Sequence, residues 1–174
     1  HDFDVLEKVL PEDGSVSLRN VTLERGGFTV VGPNARAILE KLVDTDLSNT
    51  AFPWMTSQTV TAGLASDVRM MRVNYEGELG WELYHPINYN LHLFDEITQA
   101  GSDLGLKHCG YRAIESLRLE KSYRAMYRDM DVEHTALESG LDRFIKFDKD
   151  DFVGKAALLE QKKQGLGHRL VTLQ

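Results

Sequence analysis

The sequence predicts an α+β fold in which helices flank a mixed or antiparallel sheet. Three observations favour this class. Apolar residues recur with helical spacing in several separate segments. Alternating apolar and polar residues are concentrated between residues 51 and 86, as in a half-buried sheet. The regular strand–helix alternation of a doubly wound sheet is missing. With 174 residues, 42% of them apolar, the chain is long enough to bury a core.

The N-terminal half is predicted to contain two helices and most of the sheet. The predicted elements are a helix over 2–10, two strands within 16–33 that meet at a Gly26-Gly27 turn, a helix over 35–43, and strands within 51–86. The last part of this segment, residues 73–86, reads as two strand-like runs joined by a loop that glycines bracket.

The C-terminal half is predicted to be mainly helical. Helical spacing marks residues 90–101, 110–127 and 151–165. Residues 128–150 are weakly periodic and highly charged, so we expect a long connection there, with a short strand at 143–147. A further strand is expected to begin at residues 168–174.

Two groups of residues stand out as candidate functional sites. In the predicted hairpin, Tyr75 and Glu82 lie seven positions apart across a turn, which can fold both side chains toward one cavity edge. On the pattern alone, an ordinary surface hairpin with solvated carboxylates is the more frequent outcome.

The second group lies on the helix predicted from residue 110. At 100° per residue, Arg112, Ser116, Leu119 and Tyr123 fall on one stripe. The alternative is a surface helix stabilised by ion pairs between residues three or four positions apart. The residues available for such pairs are Glu115, Arg118, Glu120 and Arg124.

Composition argues against several classes of protein. The net charge of −7 disfavours a protein that follows nucleic-acid phosphates, and no apolar run approaches the roughly 20 residues of a membrane span. The only cysteine, Cys109, cannot form an internal disulfide, which fits a reducing compartment such as the cytoplasm, or the mitochondrial matrix in a eukaryote. The histidines lack metal-ligand spacing, so no metal is predicted.

Several ordered motifs together resemble the folate-binding region of the glycine-cleavage T-protein (aminomethyltransferase) family. Within that family, the chain most closely resembles the C-terminal half of dimethylglycine and sarcosine dehydrogenases. The motifs are Tyr-x-Gly-Glu-x-Gly-Trp-Glu-Leu at 75–83, Arg-Ala-x-Glu-Ser-Leu-Arg-Leu-Glu-Lys at 112–121, His-Thr-Ala-Leu-Glu-Ser-Gly-Leu at 134–141, and Asp-Phe-Val-Gly-Lys-Ala-Ala-Leu at 151–158.

The resemblance implies a T-protein-like fold and a tetrahydrofolate site. It assigns Glu82 to the pterin edge, because one carboxylate can accept two adjacent N–H groups. It also places Tyr75 and Tyr123 beside the folate. Typical family members hold the folate tail with an arginine at the position of Ile114, whereas the dehydrogenase branch has its arginine at Arg112, which we take as the candidate.

The family residues near the ligand lead to expectations for the rest of the motif at 75–83. We expect Glu82 to point inward, toward the pterin edge and with Tyr75 beside it, while Trp81 and Leu83 face the opposite side as core by strand alternation. Glu76 and Glu78 are expected to stay solvated or to shape the turn.

The resemblance also implies a reaction and a domain plan. The reaction is transfer of a one-carbon unit from an amine-derived donor to tetrahydrofolate, with a lipoyl carrier protein or a linked flavin domain as possible partner. Residues 1–165 are expected to be a partial folate-binding domain that lacks an upstream subdomain, and residues 166–174 the start of a truncated barrel domain. The catalytic residue stays unknown because the family aspartate lies upstream, and FAD is expected only with a separate upstream domain.

Two other functions are compatible with the same motifs. One is a folate-binding or regulatory module without turnover. The other is a related tetrahydrofolate-dependent demethylase that acts on a sulfonium. In the leading interpretation the chain alone is expected to be inactive.

Overall fold

The computed structural model of the protein describes residues 2–173, which form two compact units. The first unit extends to Gly110 and the second begins at Tyr111. The helices and strands of the first unit are α1 (Asp2–Lys8), β1 (Arg25–Val31), α2 (Ala35–Leu39), β2 (Ser57–Ala62), β3 (Ala65–Met71), β4 (Gly80–Pro86), a 3-10 turn (Ile87–Tyr89) and α3 (Asn90–Gly101). Those of the second unit are α4 (Tyr111–Glu120), a 3-10 turn (Asp142–Phe144) and α5 (Lys155–Gln164).

The first unit is built on a four-stranded sheet in the order β1-β4-β3-β2, with every neighbouring pair antiparallel. Strand β4 is central between β1 and β3, so both of its edges are hydrogen-bonded. The predicted α+β class with an antiparallel sheet and flanking helices is therefore confirmed.

One face of this sheet carries the hydrophobic core. Alternate residues of β4 enter it, and Trp81 and Leu83 are fully buried, as strand alternation predicted. Helices α2 and α3 pack on this side of the sheet through Leu39 and Leu93, both fully buried. Phe52 meets the Trp81 ring edge-on, with the ring centroids 6.2 Å apart.

The prediction of two strands within residues 16–33 is wrong. Residues 16–24 form no strand, and Gly26 and Gly27 lie inside the single strand β1 rather than at a turn. A Cβ atom at Gly26 would lie 2.6 Å from the side chains of both His85 and Asn90. The glycine therefore permits a close approach between elements, and sequence pattern alone cannot separate that requirement from a turn.

The predicted helix over 90–101 is confirmed with the same bounds, and the other predicted helices are shorter than expected. Helix α4 ends at Glu120 because Ser122 adopts the left-handed conformation, with φ 58°. Helix α5 lies between Gly154 and Gly165, which both have positive φ values. None of the helices within residues 2–173 is both long enough and apolar enough to cross a bilayer.

The predictions of strands at 143–147 and from residue 168 are also wrong. Asp142–Phe144 is a 3-10 turn, in which the backbone N–H of Ile145 donates to the Asp142 carbonyl at 3.0 Å. Within 168–173 the Leu170 N–H donates to the Glu138 carbonyl, and no strand is formed. Among residues 111–173 neither segment has a neighbouring strand with which its β-forming residues could pair. The expectation for Gln174 lies outside the described residues.

Candidate functional site

Strand β4 separates the buried face of the sheet from a polar face. Trp81, Leu83 and His85 point into the core, so Glu82 and Tyr84 lie on the opposite face. In the neighbouring strands, Glu82 is directly opposite Thr29 of β1 and Met71 of β3. The central position of β4 thus holds the Glu82 backbone from both sides.

The phenol of the nearby Tyr84 orients the Glu82 carboxylate. The Tyr84 hydroxyl donates a hydrogen bond to Glu82 Oε2 at 2.7 Å. Within the described residues, no other group hydrogen-bonds to this carboxylate, and Oε1 is left available. The hydrogen bond to Glu82 is the main cause that raises the pKa of Tyr84, and partial burial and the negative charge of Glu82 act in the same direction.

Beside Glu82 and Tyr84, the neighbouring strand β1 has a glycine and so no side chain. Gly27 of β1 is opposite Tyr84, and a Cβ atom there would be in ordinary contact with the tyrosine ring, at 3.6 Å, and with the Leu83 carbonyl oxygen, at 3.9 Å. Arg69 of β3 is opposite Tyr84 on the other side, and its side chain is exposed. The polar face is therefore accessible, and it carries both a carboxylate acceptor and aromatic surface.

The loop over residues 72–79 differs from the predicted hairpin. Strand β3 ends at Met71, so Tyr75 lies in a loop rather than on a strand, and its side chain is 37% exposed. Glu76 is only 4% exposed, and its Oε2 accepts a hydrogen bond from the Tyr75 N–H at 2.9 Å. Of the two alternatives expected for these glutamates, Glu76 therefore follows the second, because its buried carboxylate shapes the loop, and Glu78 follows the first, because it is exposed.

In the second unit, a buried arginine organises the segment that carries Tyr123. Arg118 is 2% exposed, and its guanidinium pairs with the carboxylates of Glu115 and Asp129. It also donates to the Tyr123 carbonyl at 2.7 Å. The sequence suggested a surface ion pair for Arg118, whereas the structure makes it the centre of a buried network. This network holds the pKa of Glu115 below its ordinary range, mainly through the hydrogen bond from Arg118.

The predicted stripe on helix α4 is not formed as a unit. The helix ends before Tyr123, so that residue is not on the helical face that carries Arg112 and Ser116. Arg112 lies in the first turn of α4 and is exposed. Tyr123 is half-buried, and its backbone N–H donates to the Arg118 carbonyl at 3.0 Å.

The motif at 134–141 has a local structural role. The Thr135 N–H donates to Glu138 Oε2 at 2.9 Å, and the Glu138 N–H donates to the Thr135 hydroxyl at 3.2 Å. This reciprocal pair is the geometry of a capping box, and it positions the buried Leu137 and Ser139.

The candidate site residues thus have different surroundings. Glu82 can accept hydrogen bonds from a ligand with adjacent N–H groups, because Oε1 is free and Tyr84 fixes Oε2. Tyr84 was missed from the sequence, although its two-residue spacing from Glu82 predicts that both lie on one strand face. Within residues 2–173, no group of three acidic, histidine or cysteine side chains could hold a metal ion.

Known proteins are similar to this chain in sequence and in fold. Dimethylglycine dehydrogenase of Rattus norvegicus, a mitochondrial protein, is 41% identical over 177 residues, which cover 99% of this chain and 20% of the rat protein. The mitochondrial pyruvate dehydrogenase phosphatase regulatory subunit of Mus musculus is 34% identical over 171 residues, which cover 98% of this chain and 20% of that protein. The chain therefore spans about a fifth of the length of these curated relatives.

A solved structure gives the same relationship at the level of the fold. The glycine cleavage system aminomethyltransferase T from Bartonella henselae matches with a TM-score of 0.75 and 26% identity, over 94% of this chain and 43% of the other. The model of the family described as GCVT N-terminal domain matches residues 1–149. This chain belongs to the GCVT N-terminal domain family.

Proposed function

We propose that this chain is the tetrahydrofolate-binding part of an enzyme that transfers a one-carbon unit from an amine, as in an aminomethyltransferase or a dimethylglycine or sarcosine dehydrogenase. The observation that carries the proposal is the Glu82 carboxylate, which lies on the polar face of β4 with one oxygen anchored by Tyr84 and the other free. Membership in the family and the likeness to the rat dehydrogenase support it.

The residues of the chain would act by binding and orienting. The Glu82 carboxylate would accept hydrogen bonds from the exocyclic amino group and the adjacent ring N–H of a 2-amino-4-oxo pterin, and the hydrogen bond from Tyr84 would orient it. Tyr75 offers an aromatic ring to a flat ligand. Reduced folate, when bound, supplies the nucleophilic nitrogen that takes up the one-carbon unit. Fixing the pterin edge contributes to catalysis through proximity rather than through acid–base chemistry.

Tyr123 and Arg112 stay separate predictions of the family resemblance. The exposed guanidinium of Arg112 can bind a carboxylate of the folate tail as a two-pronged donor. Tyr123 is held by the Arg118 network described above. For the whole protein we propose an amine-derived donor that comes either on a lipoyl carrier protein or from a linked flavin domain. FAD is proposed only with such a separate domain, and a mitochondrial matrix location only in a eukaryote.

Calorimetric titration with tetrahydrofolate tests the proposal. Glu82→Gln replaces one acceptor oxygen by an NH₂ group that faces the pterin donors, so we expect at least about tenfold weaker binding. Glu78→Gln is the matched control, because it removes an exposed carboxylate from the loop that precedes β4 and should leave the affinity unchanged. No heat from the parent chain at millimolar ligand, or equal affinity in Glu82→Gln, would contradict the assignment.

A second candidate function is a folate-binding regulatory module without turnover. This candidate is favoured by the likeness to the pyruvate dehydrogenase phosphatase regulatory subunit of Mus musculus. In this case tetrahydrofolate binds, and its binding depends on Glu82. The whole protein nevertheless produces no methylenetetrahydrofolate from dimethylglycine or sarcosine. Product analysis with the whole protein separates the two functions, since only the transferase forms the folate product.

A further inference from the structure

Two arginines meet on the core side of β4, away from Glu82. Arg36 of α2 and Arg72, which follows β3, both lie against Trp81, with Cζ 5.7 Å and 5.6 Å from the ring centroid. Both Nη2 atoms donate to the same oxygen, Asn49 Oδ1, each at 2.7 Å. The two Nη2 atoms are therefore separated by at most twice 2.7 Å.

No acidic group in the described part of the chain neutralises this pair. Neither arginine forms an ion pair with a carboxylate of residues 2–173, and their shared acceptor is a neutral amide. The proximity of Arg36, together with burial as the larger cause, lowers the pKa of Arg72. Two like charges held side by side disfavour each other, so the arrangement is favourable only if something compensates for it.

Anchoring the neighbouring loop explains only part of the arrangement. Arg36 Nε donates to the Leu47 carbonyl at 2.9 Å, and Arg72 Nη1 donates to the Phe52 carbonyl at 2.6 Å. Each guanidinium has five N–H donors, so more than half of them in each arginine have no acceptor among the described residues. Both side chains remain partly exposed, which leaves these donors accessible to a solute.

We propose that Arg36 and Arg72 form a binding site for a small oxyanion, a phosphate or a carboxylate group. An oxyanion offers several acceptor oxygens to two guanidinium forks and neutralises the paired charges. Trp81 leaves β4 on the side opposite to Glu82, so this site is separate from the proposed pterin site. The inference does not depend on folate binding.

Tryptophan fluorescence can test the site directly. The chain has two tryptophans, and Trp54 is 67% exposed, so Trp54→Phe leaves Trp81 as the only reporter. The protein is titrated with inorganic phosphate and, separately, with succinate, at an ionic strength kept constant with chloride. We expect a saturable change for at least one anion, and the two titrations distinguish a phosphate from a carboxylate ligand.

Variants show whether the two arginines cause the change. Arg36→Gln and Arg72→Gln should weaken the anion affinity about tenfold or more. Arg72→Lys keeps the charge but loses the fork, so it should also bind more weakly, and it serves if either glutamine variant fails to fold by circular dichroism. Arg69→Gln removes an exposed positive charge from the adjacent strand and should bind like the parent.

Three results would overturn the proposal. These are a parent response that rises linearly without saturation, an affinity that is retained in the folded arginine variants, and an equal loss in Arg69→Gln. Because tetrahydrofolate is absent from every titration, these outcomes are independent of the pterin assignment.

Discussion

Replacement of Arg118 by methionine should selectively destabilise the second unit. Methionine can replace the aliphatic stem of arginine, but it lacks the guanidinium and makes none of its hydrogen bonds. Arg118 donates from Nε to Glu115 at 3.1 Å and from Nη1 to the Tyr123 carbonyl at 2.7 Å, and it also forms close ion pairs with Glu115 and Asp129.

The magnitude follows from what the substitution leaves behind. Removal of one partner from a buried ion pair costs about 3–5 kcal/mol, since the remaining charge is desolvated and uncompensated. Here the carboxylates of Glu115 and Asp129 keep 23% and 24% of their side-chain exposure, so water can partly replace the arginine. We therefore expect a loss near the lower end of that range, about 3 kcal/mol.

Urea unfolding measures this loss. Both tryptophans, Trp54 and Trp81, lie in the first unit, so their fluorescence follows that unit, whereas far-ultraviolet circular dichroism follows the helices of both. In Arg118→Met, the part of the dichroism signal from α4 and α5 should disappear at a urea concentration lower by about 1–3 M, with the fluorescence midpoint unchanged. Lys121→Met, an exposed substitution nearby, is the control and should change stability by less than about 0.5 kcal/mol. A dichroism midpoint in Arg118→Met equal to that of the control would refute the reasoning.

Gly80→Ala should destabilise the first unit by about 1–3 kcal/mol, because its Cβ would lie 2.8 Å from the Val30 carbonyl oxygen. Gly27→Ala, whose Cβ would make only ordinary contacts, none shorter than 3.6 Å, is the control in fluorescence-detected urea unfolding, and equal losses would contradict the steric argument. Tyr84 should titrate above the ordinary pKa of a phenol, and Glu82→Gln should lower that pKa by removing the negative charge. Difference ultraviolet titration against Tyr84→Phe measures this, and an unchanged pKa in Glu82→Gln would argue against the hydrogen bond. The stabilisation from the pair should be complete below about pH 10, the unfolded pKa, and should be lost as the pH rises through the raised folded pKa.

Periodicity predicted the helices and the central sheet well, because each depends on which residues of a short segment face the core. The burial of Trp81 and Leu83 followed from alternation alone. Prediction from the sequence was wrong where one residue type is compatible with two structural roles. Gly26 fits a turn as well as a close contact, and only the side chains of His85 and Asn90 show that the contact is the reason.

The role of Glu82 in ligand binding stays a prediction, and the structure adds the surroundings of its side chain. Motif and alternation singled out Glu82 and its direction away from the core, whereas the partner that orients it, Tyr84, was found only in the structure. The burial of Glu76 was not predicted, because an exposed loop is the ordinary place for a glutamate. Arg118 likewise looked like half of a surface ion pair.

The sequence by itself determined the family, the helical and strand periodicities, and the faces of β4, since these depend on residue order within short segments. Only the tertiary structure decided which charges are paired and which are buried. Arg36 and Arg72 are far apart along the chain, and their meeting over Trp81 depends on the packing of α2 on β4. Electrostatic environment is set by contacts between distant segments, and local pattern contains no record of those contacts.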